Sequence, residues 1–297
     1  MPLRILELPV MFRPGTSITY PPFKQGRYME EYVYEYLSAH QDSIDTDYIY
    51  IPVFWTNLQN HPGFRKQKEG LTLLLQKALK QLPSNALLFT VVQHDDGPLL
   101  PLPKQTLLFG ACTGDIPLPL IYEDTTDHLL HQPRPAEKPY LASFVGTLTH
   151  SVRHQMVEHL DKKADIHMVT KPHAEWTNQV AAPQADRFVT ATLDSTFCLA
   201  PRGYGRSSFR FFEAMLLDVI PVYIWDDKEW LPYKELIDYS EFAISIQEKD
   251  IPKLYNRLKS ISEEAYQQMV INLRKNRHLF TLSSMCEYIV MKITRKA

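Results

Sequence analysis

The chemically richest part of the chain is the segment PRGYGRSSFRFFE at 201–213, which follows the apolar run FCLA. The pattern predicts a strand, a glycine-containing loop and a helix, whose first turn offers unpaired N–H groups and the positive end of the helix dipole. Arg202 and Arg210 flank this helix start, and Ser207 or Ser208 can cap it. Guanidinium groups and backbone amides together suit a diphosphate. Glu213 shares a helix face with Arg210 and can accept hydrogen bonds from ribose hydroxyls.

The same spacing also has an ordinary structural explanation. Only 10 of the 297 residues are glycine, so Gly203 and Gly205 each indicate a backbone requirement, but a simple turn would meet it. Arg210 and Glu213 could form only a surface ion pair. Arg206 offers either a phosphate contact or a solvated charge, and we expect the solvated charge. From spacing alone, both explanations of the segment stay open.

The elements that must position these groups are apolar runs of strand length alternating with amphipathic helices, which predicts α/β layers with parallel sheets. In the first half we expect strands at 4–11, 48–54, 86–92 and 105–109, and helices at 27–39 and 71–82. In the second half we expect strands at 141–145, 166–169, 197–199, 220–225 and 243–246, and helices at 152–162, 208–217 and 252–277. The run HQPRPAEKP at 131–139 is typical of a linker. Two domains are therefore predicted, 1–136 and 137–297, with the last helix free to pack back on the first domain.

Composition excludes several classes of protein. Lys and Arg number 32 against 34 Asp and Glu, a net charge of −2, and 44% of the residues are hydrophobic, which argues against disorder and against nucleic-acid binding. The longest apolar stretch, FFEAMLLDVIPVYIW, is interrupted by charges and a proline and is shorter than the ~18 residues of a membrane span. The three cysteines are far apart, without metal-ligand spacing. We expect a cytoplasmic protein with reduced thiols and no membrane span.

The segment FCLAPRGYGRSSFRFFEAMLLDVIPVYIWDD resembles the signature of the exostosin-like glycosyltransferases. The likeness continues in YPPFKQGRYMEEY, DYIYIPVFWTNL, FTVVQHDDG and SFVGTLTHSVR, and the short form is similar to bacterial and large-virus members. The resemblance implies an α/β fold of GT-B type, with two Rossmann-like domains facing across a cleft. It further implies an inverting transferase, with a UDP-sugar on the C-terminal domain and a glycan acceptor on the N-terminal domain.

Further donor-site residues follow from this resemblance. Gly146, Thr147 and Arg153 lie in a second strand-to-helix loop and are expected near the donor phosphates, although an ordinary turn stays open. Asp226 ends an apolar strand, where it either holds donor-sugar hydroxyls or forms a turn. Where the family usually has glycine after the signature helix, this chain has Asp218, which can still adopt the left-handed conformation that ends a helix.

Two acidic pairs in the first half are candidates for the base that inverting transfer uses. Asp95 and Asp96 follow the strand NALLFTVVQ, with His94 beside them as a weaker candidate. Glu30 and Glu31 follow the turn YPPFKQG at a helix start, where the helix dipole alone favours acidic residues. A mechanism without a protein base also stays open.

The sequence constrains three properties less: the identity of the donor sugar, the need for a metal ion and catalytic activity itself. The family allows UDP-xylose, UDP-galactose, UDP-arabinose or UDP-glucuronate, of which UDP-xylose is our weak preference. The short pattern Asp45-Thr46-Asp47 could chelate a metal, but it precedes its strand, so we expect a solvated loop and no metal or other cofactor. The alternatives are a catalytically inactive carbohydrate-binding or scaffold subunit of the same fold, or a hydrolase using Asp95. An intact set of Arg202, Arg210 and Glu213 favours the transferase.

Overall fold

The computed structural model describes residues 1–15 and 20–294, and the chain divides into two compact units. The first unit contains Gly26–Glu123 and Thr281–Ala297 together with the N-terminal segment. The second contains Asp124–Phe280 and the short segment that ends at Gln25. The change of unit therefore falls after Glu123, whereas the sequence predicts a boundary after residue 136.

The proline-rich segment packs on the second unit, which explains this difference. Arg134 donates its Nη2 hydrogen to the carbonyl oxygen of Leu216 at 2.8 Å. Its Nε lies 3.5 Å from the carboxylate of Asp218. Just before this segment, the ring of His128 stacks on that of Phe23, with their centroids 5.2 Å apart. These contacts fix the segment to the second unit rather than leave it as an open linker.

The first unit is built on a parallel sheet of five strands in the sequential order β1 to β5. Its elements in chain order are β1 (Arg4–Ile5), α1 (Met29–His40), β2 (Tyr48–Tyr50), α2 (Trp55–Asn60), α3 (Phe64–Leu79), β3 (Leu87–Val92), β4 (Leu107–Gly110) and β5 (Ile116–Pro117). Strand β3 is buried beyond its first residue, as its apolar sequence LLFTVV requires in a covered parallel sheet. The predicted strand at 4–11 is shorter in the structure, because Pro9 has no N–H for a ladder hydrogen bond and a 3-10 turn follows at Val10–Phe12.

The second unit is built on another parallel sheet of five strands, in the order β10-β9-β8-β6-β7. Its elements are β6 (Tyr140–Leu148), α4 (Ser151–Leu160), β7 (Ile166–Pro172), α5 (Ala182–Leu193), β8 (Ser195–Pro201), α6 (Phe209–Leu216), β9 (Ile220–Trp225), β10 (Ile244–Gln247), α7 (Ile251–Lys259) and α8 (Glu263–Asn276). A last helix, α9 (Leu282–Ile293), belongs to the first unit, where it packs against α1. The two predicted α/β units with parallel sheets are thus confirmed.

The strand order of the second unit creates a switch point. From β6 the chain passes first to β7 on one side and then to β8 on the other. The connections that follow β6 and β8 therefore leave the same edge of the sheet in opposite directions, an arrangement that leaves a crevice in doubly wound sheets. In doubly wound sheets, ligands bind at such a crevice, beyond the carboxyl ends of the strands.

Helix α6 ends on a residue in the left-handed conformation, as predicted. Asp218 has a φ of 58°, which short polar side chains tolerate better than most. Its N–H bonds to the carbonyl of Met215 at 3.2 Å. Its carboxylate accepts a hydrogen bond from Arg277 at 2.8 Å. The chain then enters β9 directly.

In the described ranges, no helix has the length and hydropathy needed to cross a membrane.

Candidate functional site

The N-terminus of α6 lies at the switch point and carries an unpaired hydroxyl. Ser208 occupies the N-cap position in an extended conformation, as predicted, but its side chain makes no capping hydrogen bond. Its Oγ is buried and has no hydrogen-bond partner among the residues described, and Ser208 is only 4% exposed. Ser207, beside it, is buried too. Because a buried polar atom normally has a partner, this orphan hydroxyl marks a place where a ligand can complete the structure.

Arg210, in the first turn of α6, is anchored at one end and open at the other. Its Nε donates to the carbonyl oxygen of Val145, within β6, at 2.8 Å. Its guanidinium lies 5.2 Å from the ring centroid of Phe144, a cation–π contact. Within the described parts of the chain, neither Nη1 nor Nη2 has a hydrogen-bond partner. A cation held in place with two unbonded amino groups is suited to an anion.

Gly146 makes room for this arginine. A Cβ atom built on Gly146 would overlap Nη2 of Arg210, and it would lie 2.9 Å from Cζ of Arg210 and 3.0 Å from Cζ of Phe144. Gly146, expected in a strand-to-helix loop, instead lies within β6, where it permits a close approach between this strand and α6.

Arg153, on α4, ties the carboxyl ends of β6 and β8 together. Its guanidinium donates to the carbonyl oxygens of Thr147 at 2.7 Å and Arg202 at 3.0 Å, and more weakly to Pro201 at 3.4 Å. A Cβ on Gly203 would lie 2.8 Å from Nη2 of Arg153, so this glycine is also required by close packing. The structure thus places Arg153 as a buried brace that fixes the carboxyl ends of β6 and β8.

Arg202 is occupied by the carboxylates at the end of β9. Its Nη1 donates to Asp226 at 2.7 Å and to Asp227 at 3.0 Å, and its Nη2 donates to the carbonyl of Tyr204 at 2.8 Å. Arg206, expected to be a solvated charge, instead donates to Asp227 from Nε at 2.8 Å and from Nη2 at 2.6 Å. This hydrogen-bonded guanidinium holds the pKa of Asp227 well below its usual range.

His150 joins the same network and was not singled out from the sequence. It is the N-cap of α4, where its Nδ1 accepts a hydrogen bond from the N–H of Val152 at 3.3 Å. Its Nε2 lies 3.6 Å from the carboxylate of Asp226. Burial, followed by the positive charge of Arg202, lowers the pKa of His150. The one sequence signal for it was its place just before the helix.

Glu213 lies one turn after Arg210 and is buried in α6. Both charged groups act on the thiol of Cys198 in β8, where Arg210 favours the thiolate and Glu213 opposes it. Burial is the larger effect and raises the pKa of Cys198 to about 12, so this cysteine stays a neutral thiol. Arg210 and Glu213 therefore both lie near Cys198 of β8.

The candidate bases lie in the first unit, after β3 and at the start of α1. Asp95 and Asp96 are exposed on the turn after β3. His94 Nδ1 accepts a hydrogen bond from the N–H of Asp96 at 3.3 Å, and burial lowers the pKa of His94. Glu31 caps α1 by accepting a hydrogen bond from the N–H of Tyr28 at 2.9 Å.

Glu30 is almost completely buried, unlike its neighbour Glu31. Its Oε1 accepts hydrogen bonds from the hydroxyl of Thr56 at 2.8 Å and from the N–H of Gln93 at 2.9 Å. Its Oε2 has no hydrogen-bond partner in the described part of the chain. Burial raises the pKa of Glu30. Across residues 1–15 and 20–294, no group of three or more His, Cys, Asp or Glu side chains could hold a metal ion.

The family model of the Exostosin GT47 domain matches residues 111–261, about half of the chain. The chain belongs to the exostosin GT47 family. The matched residues of this GT47 chain contain β6 to β10 and every predicted donor-site residue. Glu30, Glu31, Asp95 and Asp96 lie outside the match.

Individual proteins resemble this GT47 chain over shorter or looser matches. A probable glycosyltransferase of Arabidopsis thaliana is 31% identical over 176 residues, which are 58% of this chain and 35% of that protein. A probable beta-1,4-xylosyltransferase of the same plant is 40% identical over 83 residues, which are 28% of this chain and 18% of the length of that protein. The chain thus spans about a third, or less, of the length of these relatives. The crystal structure of TarM covers 89% of this chain and 58% of its own at 9% identity, with a TM-score of 0.43.

Proposed function

We propose that this GT47 protein is an inverting glycosyltransferase that moves a sugar from a UDP-sugar to a hydroxyl of a glycan. The observation that carries the proposal is the pairing of Arg210, whose two terminal amino groups are unbonded, with the orphan hydroxyl of Ser208 at the N-terminus of α6. Both belong to the switch point of a doubly wound sheet, where such folds bind nucleotides.

The chemistry expected at this site is departure of the diphosphate. As the bond between the anomeric carbon and the phosphate oxygen breaks, negative charge grows on the β-phosphate. Arg210 and the positive end of the α6 dipole stabilise that charge, and the hydroxyl of Ser208 donates to a phosphate oxygen. Because Nε and the Phe144 contact fix Arg210, little reorganisation accompanies the reaction.

The other charged residues are proposed to position the loops and to hydrogen-bond the donor, and not to bind the diphosphate. Arg153 keeps the carboxyl ends of β6 and β8 at a fixed separation. Arg202 orients Asp226, and Asp226 together with His150 is proposed to bind hydroxyls of the donor sugar. Glu213 is proposed to accept hydrogen bonds from the ribose.

Activation of the acceptor is assigned to a carboxylate of the first unit. The acceptor hydroxyl attacks the anomeric carbon from the face opposite the leaving diphosphate, and a base takes its proton. We keep Asp95 or Asp96 as the first candidates because both are exposed, with Glu31 as the second, since its carboxylate already caps α1.

For the donor we retain UDP-xylose as the working choice, with UDP-galactose, UDP-arabinose and UDP-glucuronate as the other members of the panel. The similarity to a probable beta-1,4-xylosyltransferase supports this choice. We further propose that no divalent metal is required, because Arg210 and the amides of α6 supply the charge that a metal would otherwise provide.

The test is release of UDP from a panel of UDP-sugars by the full chain, with and without a glycan acceptor and with and without a chelator. The wild type should release UDP from at least one donor, and the chelator should have no effect. Arg210→Ala should abolish most of this release, whereas Arg257→Ala, an exposed arginine on α7, should not. UDP binding without release from any donor would instead favour a catalytically inactive carbohydrate-binding or scaffold subunit.

A further inference from the structure

An exposed tryptophan lies close to the proposed diphosphate site. Trp176 follows β7 and is 49% exposed. Its ring centroid is 6.0 Å from that of Tyr20, which is in turn 6.0 Å from that of Phe209, the first residue of α6. All three residues belong to the second unit. This aromatic cluster, Tyr20, Phe209 and Trp176, connects the loop after β7 with the N-terminus of α6.

The geometry of the cluster leaves indole surface available. The rings of Trp176 and Tyr20 meet at 66°, an edge-to-face arrangement that covers at most one face of the indole. By contrast, Trp55 and Trp230 are buried and Trp225 is half-buried. A large aromatic surface that stays exposed beside a convergent polar site is typical of a ligand platform.

The strand order indicates which end of a nucleotide-sugar would contact Trp176. Strand β7 flanks β6 on one side of the switch point, and β9 lies beyond β8 on the other. The β9 side is filled by the charged network of Arg202, Asp226 and Asp227, which suits hydroxyl groups. The β7 side offers the aromatic surface of Trp176 instead. With the diphosphate at Arg210, the sugar would therefore lie on the β9 side and the nucleoside on the β7 side.

We infer that Trp176 is the platform on which the nucleobase of the bound nucleotide stacks, with Tyr20 and Phe209 holding the indole in place. This inference rests on the proposed function, because it takes the diphosphate at Arg210 as its starting point. Stacking on an aromatic face is tolerant of base identity, so Trp176 contributes affinity for a nucleotide rather than the choice of uracil.

The experiment measures binding of UDP and of inorganic pyrophosphate to the full chain by titration calorimetry. Trp176→Ala should weaken UDP binding about tenfold, within the range of measured base–aromatic stacking, and leave pyrophosphate binding unchanged. Trp176→Phe should keep most of the UDP affinity because it keeps an aromatic face. Leu236→Ala removes a similarly exposed apolar side chain elsewhere in the second unit and should change neither affinity.

Intrinsic fluorescence gives a second readout. UDP should quench the emission of the wild type, and this quenching should be lost in Trp176→Phe although UDP still binds. Equal UDP affinities for the wild type and Trp176→Ala, in a protein whose Arg210→Ala variant has lost UDP, would overturn the platform and leave the diphosphate site intact. A wild type that binds neither UDP nor pyrophosphate would overturn both.

Discussion

The guanidinium of Arg210 occupies the space that a side chain on Gly146 would need. A Cβ at this glycine would lie 2.9 Å from Cζ of Arg210, while Nε of Arg210 bonds to the carbonyl of the preceding residue, Val145. Strand β6 and the first turn of α6 are therefore fitted to each other. The position of the anion-binding group depends on this fit.

Gly146→Ala should consequently weaken UDP binding. The added methyl group must displace the guanidinium or the ring of Phe144, and loss of one well-placed charged hydrogen bond costs about 1.5 kcal/mol, roughly tenfold in the dissociation constant. Titration calorimetry measures this. Gly70→Ala is the matched control, since no atom lies within 4 Å of its added Cβ in α3. It should leave UDP binding unchanged and stabilise the protein by about 0.5–1 kcal/mol. Full UDP affinity in Gly146→Ala would show that the fit is irrelevant to binding.

His150 should make stability depend on pH on the acid side. Its pKa in the folded protein is lowered from the ordinary value of about 6.5 by burial and by Arg202. As pH falls below about 6.5, the unfolded chain binds the proton first, so the folded state loses stability; above that pH the residue has no such effect.

His150→Asn keeps an N-cap side chain but cannot titrate. Its melting temperature should therefore fall less than that of the wild type between about pH 7 and about pH 5. His154→Asn, an exposed histidine on the same helix, should follow the wild type. Identical dependences of melting temperature on pH for all three proteins would mean that protonation of His150 does not destabilise the folded state.

Glu30 should have the opposite pH dependence. Burial raises its pKa above the ordinary value of about 4.3, so the folded protein loses stability as pH rises from about 4.3 through the folded pKa. Glu30→Gln keeps an oxygen that can accept from Thr56 and Gln93 and removes the buried charge. We expect a higher melting temperature than the wild type, with a gain that is larger at about pH 8 than at about pH 5.

The neighbouring change Glu31→Gln is the control for Glu30. It should give no such gain, because Glu31 caps α1 and profits from the helix dipole as a carboxylate. A Glu30→Gln variant that is destabilised more than Glu31→Gln at neutral pH would show that the buried carboxylate is required by the fold.

Asp95→Asn and Asp96→Asn test the assignment of the base. If one of these carboxylates takes the acceptor proton, its amide should lower turnover by about 10²- to 10⁴-fold and leave the UDP dissociation constant nearly unchanged. Steady-state transfer and calorimetry measure the two effects. Asp42→Asn changes an exposed acidic residue of the same unit and should be silent in both. Full turnover in both single variants would transfer the assignment to Glu31 or to a mechanism without a protein base.

Much of the fold follows from the apolar pattern of the chain. Strand β9 is found at Ile220–Trp225, the range predicted, because a strand covered on both faces must be apolar throughout. Helix α5 was not predicted, since its sequence APQADRFVTATL carries β-branched residues that are also typical of strands. Helix α9 was also not predicted. From the sequence, the last helix is expected at 252–277, free to pack back on the first domain. The helix that belongs to the first unit is α9, which follows that range and packs against α1.

The position of the site could be predicted from the sequence, but the role of each arginine in it could not. The glycines, the helix start and the cluster of arginines all indicated an anion site after β8. Which arginine stays available depends on contacts between distant strands. The adjacency of β8 and β9 pairs Arg202 with Asp226, and the adjacency of β6 and β8 turns Arg153 into a brace. Only Arg210 keeps both terminal amino groups unbonded, within the described residues of this cluster.

A crystal structure of the full chain with bound UDP tests the central claim most directly. We predict diphosphate oxygens within about 2.7–3.2 Å of a terminal amino group of Arg210 and of the hydroxyl of Ser208. UDP bound elsewhere, with these two groups still without a ligand, would contradict the account.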